Sequence, residues 1–217
     1  MKYKAIIFDF NGTLLWDTHL HNQAWDRFLA KYGFNFSDQQ KNQIIHGKQN
    51  QDIFKALFNQ TLSNAEIEQY VLEKEHLYQE LCLEEKLPLG PGVEAFLDHL
   101  KQQNIPFTIA TSSGIENVSF YFEHYDLKRW FSLDSIVYNN GKIKSKPSPD
   151  IFLVAMEKLG CTPEQAIVFE DSPTGILSAQ AANAGKVIIV DSIDGDYSEY
   201  GLDVITHFDQ FDKALIG

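Results

Sequence analysis

Ala5-Ile6-Ile7-Phe8-Asp9-Phe10-Asn11-Gly12-Thr13 is the stretch on which the reading of this chain turns. Residues 5–8 are apolar without a break, too few for a free-standing helix and without the alternation of a half-exposed strand. A run of this kind is a strand covered on both faces, the habit of a parallel sheet sandwiched between helices. It ends at Asp9, which puts a carboxylate at the C-terminal end of the first strand. Residues 166–169 and 187–190 have the same character, residues 107–110 share it apart from Thr108, and residues 135–138 and 203–206 are weaker candidates. Between them, Ser148-Pro149, Thr162-Pro163 and Ser172-Pro173 each pair an N-cap residue with proline at the first helical position. Strand and helix thus alternate from about Gly92 onward. The alternation predicts an α/β fold with right-handed crossovers and a doubly wound parallel sheet, whose ligands bind outside the carboxyl ends of the strands.

Residues 17–85 break the pattern, because helix signals dominate there and nothing resembles a buried strand. Trp25, Phe28, Leu29 and Tyr32 follow the spacing of one apolar helix face. Ser63 with Glu66 fits a capping box opening a helix whose Ile67, Tyr70, Val71, Tyr78 and Leu81 can share one side. The Pro88, Gly90, Pro91, Gly92 cluster would return the chain to the sheet. The expected organisation is an α/β core of residues 1–16 and 86–217, with a small helical domain, residues 17–85, inserted after the first strand.

The chain has 217 residues, 44% of them hydrophobic, enough to bury a core in one large domain or one domain with an insertion. Eighteen Lys plus Arg against thirty Asp plus Glu give a formal charge of −12, which disfavours nucleic acid and anionic membranes as partners. Cys82 and Cys161 fit neither a disulfide framework nor a zinc spacing. With no visible signal peptide and no apolar run near the ~20 residues that span a bilayer, a cytoplasmic protein is expected, with a monomer as the default.

The residues that follow the apolar runs carry the chemistry. Asp9, Thr111-Ser112-Ser113 and Glu170-Asp171 would converge at one sheet edge. Carboxylates crowded together repel, so their shared position makes sense if a hard cation sits among them, and oxygen ligands suit Mg²⁺. Hydroxyls and backbone N–H groups at residues 111–114 could hold a phosphoryl group, and Lys146 could neutralise its remaining charge.

These motifs together resemble the haloacid dehalogenase superfamily, and within it the branch of β-phosphoglucomutases and related small-metabolite phosphatases. The resemblance rests on the first-strand Asp9-x-x-Gly12-Thr13, Thr111 with Ser112, Lys146-Pro147-x-Pro149, the Glu170-Asp171-Ser-Pro-x-Gly175 loop and the helical insert. It implies that Asp9 is a nucleophile that becomes an aspartyl-phosphate. It implies further that Asp9, Glu170, Asp171 and the carbonyl of Asn11 hold Mg²⁺, that Thr111, Ser112 and Lys146 bind the phosphoryl group, and that the insert is a cap closing over a small phosphorylated metabolite. His21, Lys48 and Asn50 in the insert fall where relatives place substrate-contacting groups, and Ser113 lies at the rim of the core.

One position departs from the family pattern, which normally has a second aspartate where this chain has Asn11. That aspartate cycles a proton, a contribution of roughly 10² to 10⁴ in rate, and asparagine cannot. A natural variant for substrates with good leaving groups, a weakened enzyme retained for binding, and an engineered inactivation all remain open. A phosphatase is the first expectation, a β-phosphoglucomutase-type mutase the second, and a binding protein without turnover the third. A two-component receiver domain is set aside because its acidic pair precedes the nucleophile. Halide-releasing relatives need no metal, and a Schiff-base carbon–phosphorus hydrolase would require a cap lysine for which Lys48 has the wrong spacing from Gly47.

Overall fold

The computed structural model describes residues 2–37, 40–41, 44–45, 50–58 and 62–217. Two compact units result, one of Met1–Trp16 with Leu87–Gly217 and one of Asp17–Lys86. In the first unit the strands are β1 (Ala5–Phe8), β2 (Phe107–Thr111), β3 (Val137–Tyr138), β4 (Ala166–Glu170), β5 (Lys186–Val190) and β6 (Asp203–Ile205). They form one sheet in the order β3-β2-β1-β4-β5-β6, and every pairing is parallel. The two weak strand candidates are the two edges of the sheet, where strands are short and one side lacks a neighbour. Residue 135 belongs instead to a short 3₁₀ turn that precedes β3.

Continuous apolarity in β1 has the physical cause expected of it, since all four of its residues are fully buried. One face presents Phe8 and Phe169, which stack at 5.1 Å between ring centroids and pack with Phe96, Phe208 and Phe211. The other presents Ile7, Ala110 and Val168 to Phe152, Ala155, Met156 and Ala179 of the flanking helices. Successive strand residues point to opposite faces, so a sheet with helices on both sides takes apolar residues on both, or a paired polar one such as the buried Thr108, whose hydroxyl donates to the Ser135 carbonyl at 2.7 Å.

The helices, numbered over the described residues, are α1 (Thr18–Lys31), α2 (Asn50–Phe58) and α3 (Asn64–Glu85) in the second unit. The first unit holds α4 (Val93–Gln102), α5 (Ile115–His124), α6 (Asp150–Leu159) and α7 (Pro173–Ala181). Ser172 caps α7 with Pro173 at its first position and accepts from the Gly175 N–H at 3.1 Å. Thr162-Pro163 opens only a short 3₁₀ turn. Ser148 is not the cap of α6: the helix starts at Asp150, and the Ser148 hydroxyl donates to the Asp150 carboxylate at 2.8 Å. Among the described residues no helix is long and apolar enough to cross a membrane.

In the second unit Trp25, Phe28, Leu29, Phe54 and Ile67 share one core, against which Tyr32, Phe58, Tyr70 and Val71 pack. The Ser63 capping box is formed in both directions, with Ser63 N–H donating to Glu66 at 2.8 Å and Glu66 N–H to the Ser63 hydroxyl at 3.3 Å. Asp17, placed at the N-cap of α1, does not cap it. Its fully buried carboxylate instead accepts the Tyr78 hydroxyl of α3.

Candidate active site

Parallel pairing brings the chemistry to one edge. Phe8 lies opposite Phe169 and the Asp9 N–H donates to the Phe169 carbonyl at 2.9 Å, so Asp9 and Glu170 leave adjacent strands side by side. Lys146, from the loop before α6, donates to Asp9 Oδ1 at 2.6 Å and also to Glu170 Oε1. Its ammonium lies 4.9 Å from the ring centroid of Phe152, and its side chain is only 6% exposed. Burial lowers the pKa of a lysine, but the Asp9 and Glu170 carboxylates more than offset that here, and Lys146 ends above its ordinary value.

Glu170 is fully buried and fully used. Its Oε2 accepts the Asp171 N–H at 2.9 Å, the Ser172 N–H at 2.9 Å and the Ser172 hydroxyl at 3.1 Å, while Oε1 takes Lys146. The carboxylate therefore stitches the start of α7 to the lysine. Gly175 is required by this packing, because a Cβ there would lie 1.8 Å from Glu170 Oε1. Asp171 accepts the Thr13 hydroxyl at 3.1 Å and rests against Gly12, whose φ of +79° and missing Cβ allow the approach. Burial first, then Glu170 and Asp9, hold the Asp171 carboxyl well above the usual carboxylate range, and Lys146 and Thr13 do not reverse the shift. The negative field extends to Tyr197, whose phenol is pushed up to about 12 by burial and by Asp171, Asp191 and Glu170.

Asp9, Asn11, Ser113, Lys146, Glu170 and Asp171 thus belong to one neighbourhood of the first unit. Asn11 Oδ1 accepts from the Ser113 hydroxyl at 2.9 Å, and its Nδ2 donates to the Tyr121 hydroxyl at 2.8 Å. Thr111 is buried and accepts the Ser113 N–H at 3.1 Å, which leaves its own hydroxyl proton to donate elsewhere. Ser112 is exposed, beside Asn139, Lys144 and Ser145. Among the described residues no three Asp, Glu, His or Cys side chains converge as a ready metal-ligand set. The donor chemistry nevertheless fits a hard cation, being all oxygen, and the charges of Glu170 and Asp9, which add to burial in raising the Asp171 carboxyl, are ones a cation would relieve.

Among the cap candidates, His21 sits in a polar cluster internal to the second unit. Its ring stacks on Tyr78 at 3.9 Å and 3°, and Lys74 Nζ lies 3.1 Å from His21 Nδ1. A lysine ammonium only donates, so Nδ1 accepts and the ring proton is on Nε2, 3.5 Å from Asp17 Oδ2. Burial, then Lys74, holds His21 well below its ordinary pKa. Lys48 lies outside the described residues, as does the side chain of Asn50, the first residue of α2.

The His21 shift has a measurable sign. Between the lowered folded pKa and about 6.5 the unfolded chain binds the proton and the folded one does not, so stability falls as pH is lowered through that window. His21→Gln is expected to flatten the dependence of melting temperature on pH below about 6.5. Parallel curves for parent and variant would show that the imidazole near Asp17, Lys74, Glu75 and Tyr78 is not neutral.

Lys74 and Tyr121 escaped sequence reasoning. Lys74 had a signal: residues 67, 71, 78 and 81 follow one apolar stripe on α3, and the lysine at 74, in the same stripe, is out of place. It is 5% exposed, donates to Glu75, and lies 5.5 Å from the Trp25 ring. Tyr121 had none, since an aromatic on the buried face of a helix reads as core.

A model of the haloacid dehalogenase-like hydrolases matches residues 3–183. The chain belongs to this hydrolase family. This hydrolase is 31% identical over 202 residues to the probable pseudouridine-5'-phosphatase of Drosophila melanogaster, a match spanning 88% of this chain and 83% of that protein. It is 30% identical over 190 residues to the fructose-1-phosphate phosphatase YqaB of Escherichia coli, spanning 86% and 96%. A crystal structure of a HAD hydrolase, family IA, variant 3, from Entamoeba histolytica superposes with a TM-score of 0.89 at 34% identity, over 99% of this chain and 97% of that one.

Proposed function

We propose that this hydrolase is a Mg²⁺-dependent phosphatase of a small phosphorylated metabolite of the sugar-phosphate class, acting through an aspartyl-phosphate on Asp9. The reading rests on one observation above others, a strand-end carboxylate held 2.6 Å from a buried lysine beside a second carboxylate whose proton affinity is raised. The names of the relatives support the substrate class, since those proteins are named a probable pseudouridine-5'-phosphatase and a fructose-1-phosphate phosphatase.

An Asp9 carboxylate oxygen attacks phosphorus, the ester P–O bond breaks, and the leaving oxygen departs with the electron pair and takes its proton from solvent water. Water then attacks the aspartyl-phosphate, its P–O bond to Asp9 breaks, and phosphate departs. Lys146 and the Thr111 hydroxyl bind the equatorial oxygens of the transferring group, where charge is spread. Asp9, Asp171 and the Asn11 carbonyl would hold Mg²⁺, which would neutralise charge on the phosphoryl oxygens, while Glu170 would brace Lys146. Asn11 can donate hydrogen bonds but cannot give the leaving oxygen a proton and recover it, so esters with good leaving groups are favoured.

A panel of sugar phosphates, acyl phosphates and p-nitrophenyl phosphate, assayed for phosphate release with and without Mg²⁺, tests the reading. Release is expected only with Mg²⁺, which should also raise the melting temperature of the parent more than that of Asp171→Asn. Asn11→Asp is expected to raise turnover of alkyl phosphates by about 10²-fold and of aryl and acyl phosphates much less. No release from any compound, or an equal gain on both classes, would count against it.

A further inference from the structure

We infer that Tyr121 is a positioning residue for catalysis, which with Ser113 forms a clamp of two hydroxyls holding the head group of residue 11 in one orientation. The inference rests on the phosphatase reading and goes beyond it, because Tyr121 belongs to none of the motifs that carry that reading.

The clamp joins three separate parts of the chain. Asn11 follows β1, Ser113 follows β2, and Tyr121 is on α5. The carboxamide is gripped at both ends, Oδ1 accepting from Ser113 at 2.9 Å and Nδ2 donating to Tyr121 at 2.8 Å, while the two hydroxyl oxygens are 3.5 Å apart. Neither hydroxyl is loose. Tyr121 is 1% exposed, and its ring stacks on Phe10, the residue between Asp9 and Asn11, at 4.3 Å. Ser113 is fixed through its backbone, its N–H on Thr111 Oγ1 at 3.1 Å and its carbonyl accepting from the Asn139 N–H at 3.0 Å. The backbone turn that carries Asp9 is therefore tied to α5 twice, by ring stacking at residue 10 and by a hydrogen bond at residue 11.

A hydroxyl can donate or accept. Ser113 and Tyr121 would both donate to a carboxylate in the same place, so the clamp suits an aspartate at residue 11 as well as the asparagine present. What separates Asn11 from Asn11→Asp is then the capacity to carry a proton, with the head group in the same position.

Tyr121→Phe keeps the ring, its stacking and its burial, and removes only the grip on residue 11. With p-nitrophenyl phosphate as probe, kcat is expected to fall by about three- to tenfold, the worth of one hydrogen bond, with KM unmoved. In an Asn11→Ala background the same substitution should leave kcat unchanged. A structural role would instead lower the melting temperature alike in both backgrounds and show no such coupling. The Asn11 side-chain ¹⁵NH₂ resonances, assigned by their loss in Asn11→Ala, provide a readout independent of turnover and should shift and exchange faster with water in Tyr121→Phe. Should Tyr121→Phe fold poorly, Ser113→Ala removes the other grip and should shift the same resonances. Unchanged amide signals, or an equal loss of kcat in both backgrounds, would overturn the clamp. Activity in the parent that Tyr121→Phe leaves intact overturns this inference alone, whereas no Asp9-dependent release from the parent overturns the phosphatase reading and the inference with it.

Discussion

Asp9→Asn is expected to lower phosphate release by on the order of 10⁴-fold or more, since losing the nucleophile of a covalent mechanism leaves only binding and electrostatics. The fold should survive the change. Asp9 shares its surroundings with Glu170 and Asp171, and each raises the proton affinity of Asp171. Neutralising one of three crowded carboxylates reduces repulsion, while Lys146 retains Glu170 as a partner. The melting temperature of Asp9→Asn should therefore equal or exceed that of the parent. Rapid quench with ³²P-labelled substrate should trap acid-stable label on the parent and none on the variant. Turnover in Asp9→Asn above about one hundredth of the parent rate, against the 10⁴-fold loss expected of a missing nucleophile, would place the nucleophile elsewhere.

Lys146→Met should be the most damaging single change to stability. It strands the fully buried Glu170 and the nearly buried Asp9 without their cation, and breaking a buried ion pair from one side costs about 3–5 kcal/mol. At about 2–4 °C per kcal/mol for a chain of this size, the melting temperature should drop by roughly 10 °C, with phosphate release lost as well. The pH dependence follows from the raised folded pKa of Lys146. Such a group contributes fully below its unfolded value of about 10.4 and loses the contribution as pH rises through the folded value. The deficit of the variant is thus constant across the neutral range and shrinks only at strongly alkaline pH. Adding Glu170→Gln should recover part of the loss, because removing both members of a buried pair costs far less than removing one. A Lys146→Met protein as stable as the parent would mean that the two carboxylates find another partner or water.

Local patterns made most of the core readable in advance. An unbroken apolar run has few explanations apart from a sheet covered on both faces, and this is how β1 and residues 166–169 of β4 are built. Serine and proline at 172–173 announced the start of α7, while the same pairing at 148–149 placed the start of α6 one residue early, since the helix begins at Asp150 and no side chain caps it.

The linear chain by itself determined the α/β class and which carboxylates and hydroxyls stand at strand ends, because these follow from hydrophobic period and from where each apolar run stops. It could not determine which of those groups touch. Pairing between residues distant along the chain depends on strand order and helix packing, and only the folded chain shows that Lys146 lies between Asp9 and Glu170, that Glu170 is consumed as a brace, and that Asn11 is gripped by Tyr121. Local period carries no information about these long-range contacts, whose partners are brought together by burial of the surrounding apolar surface.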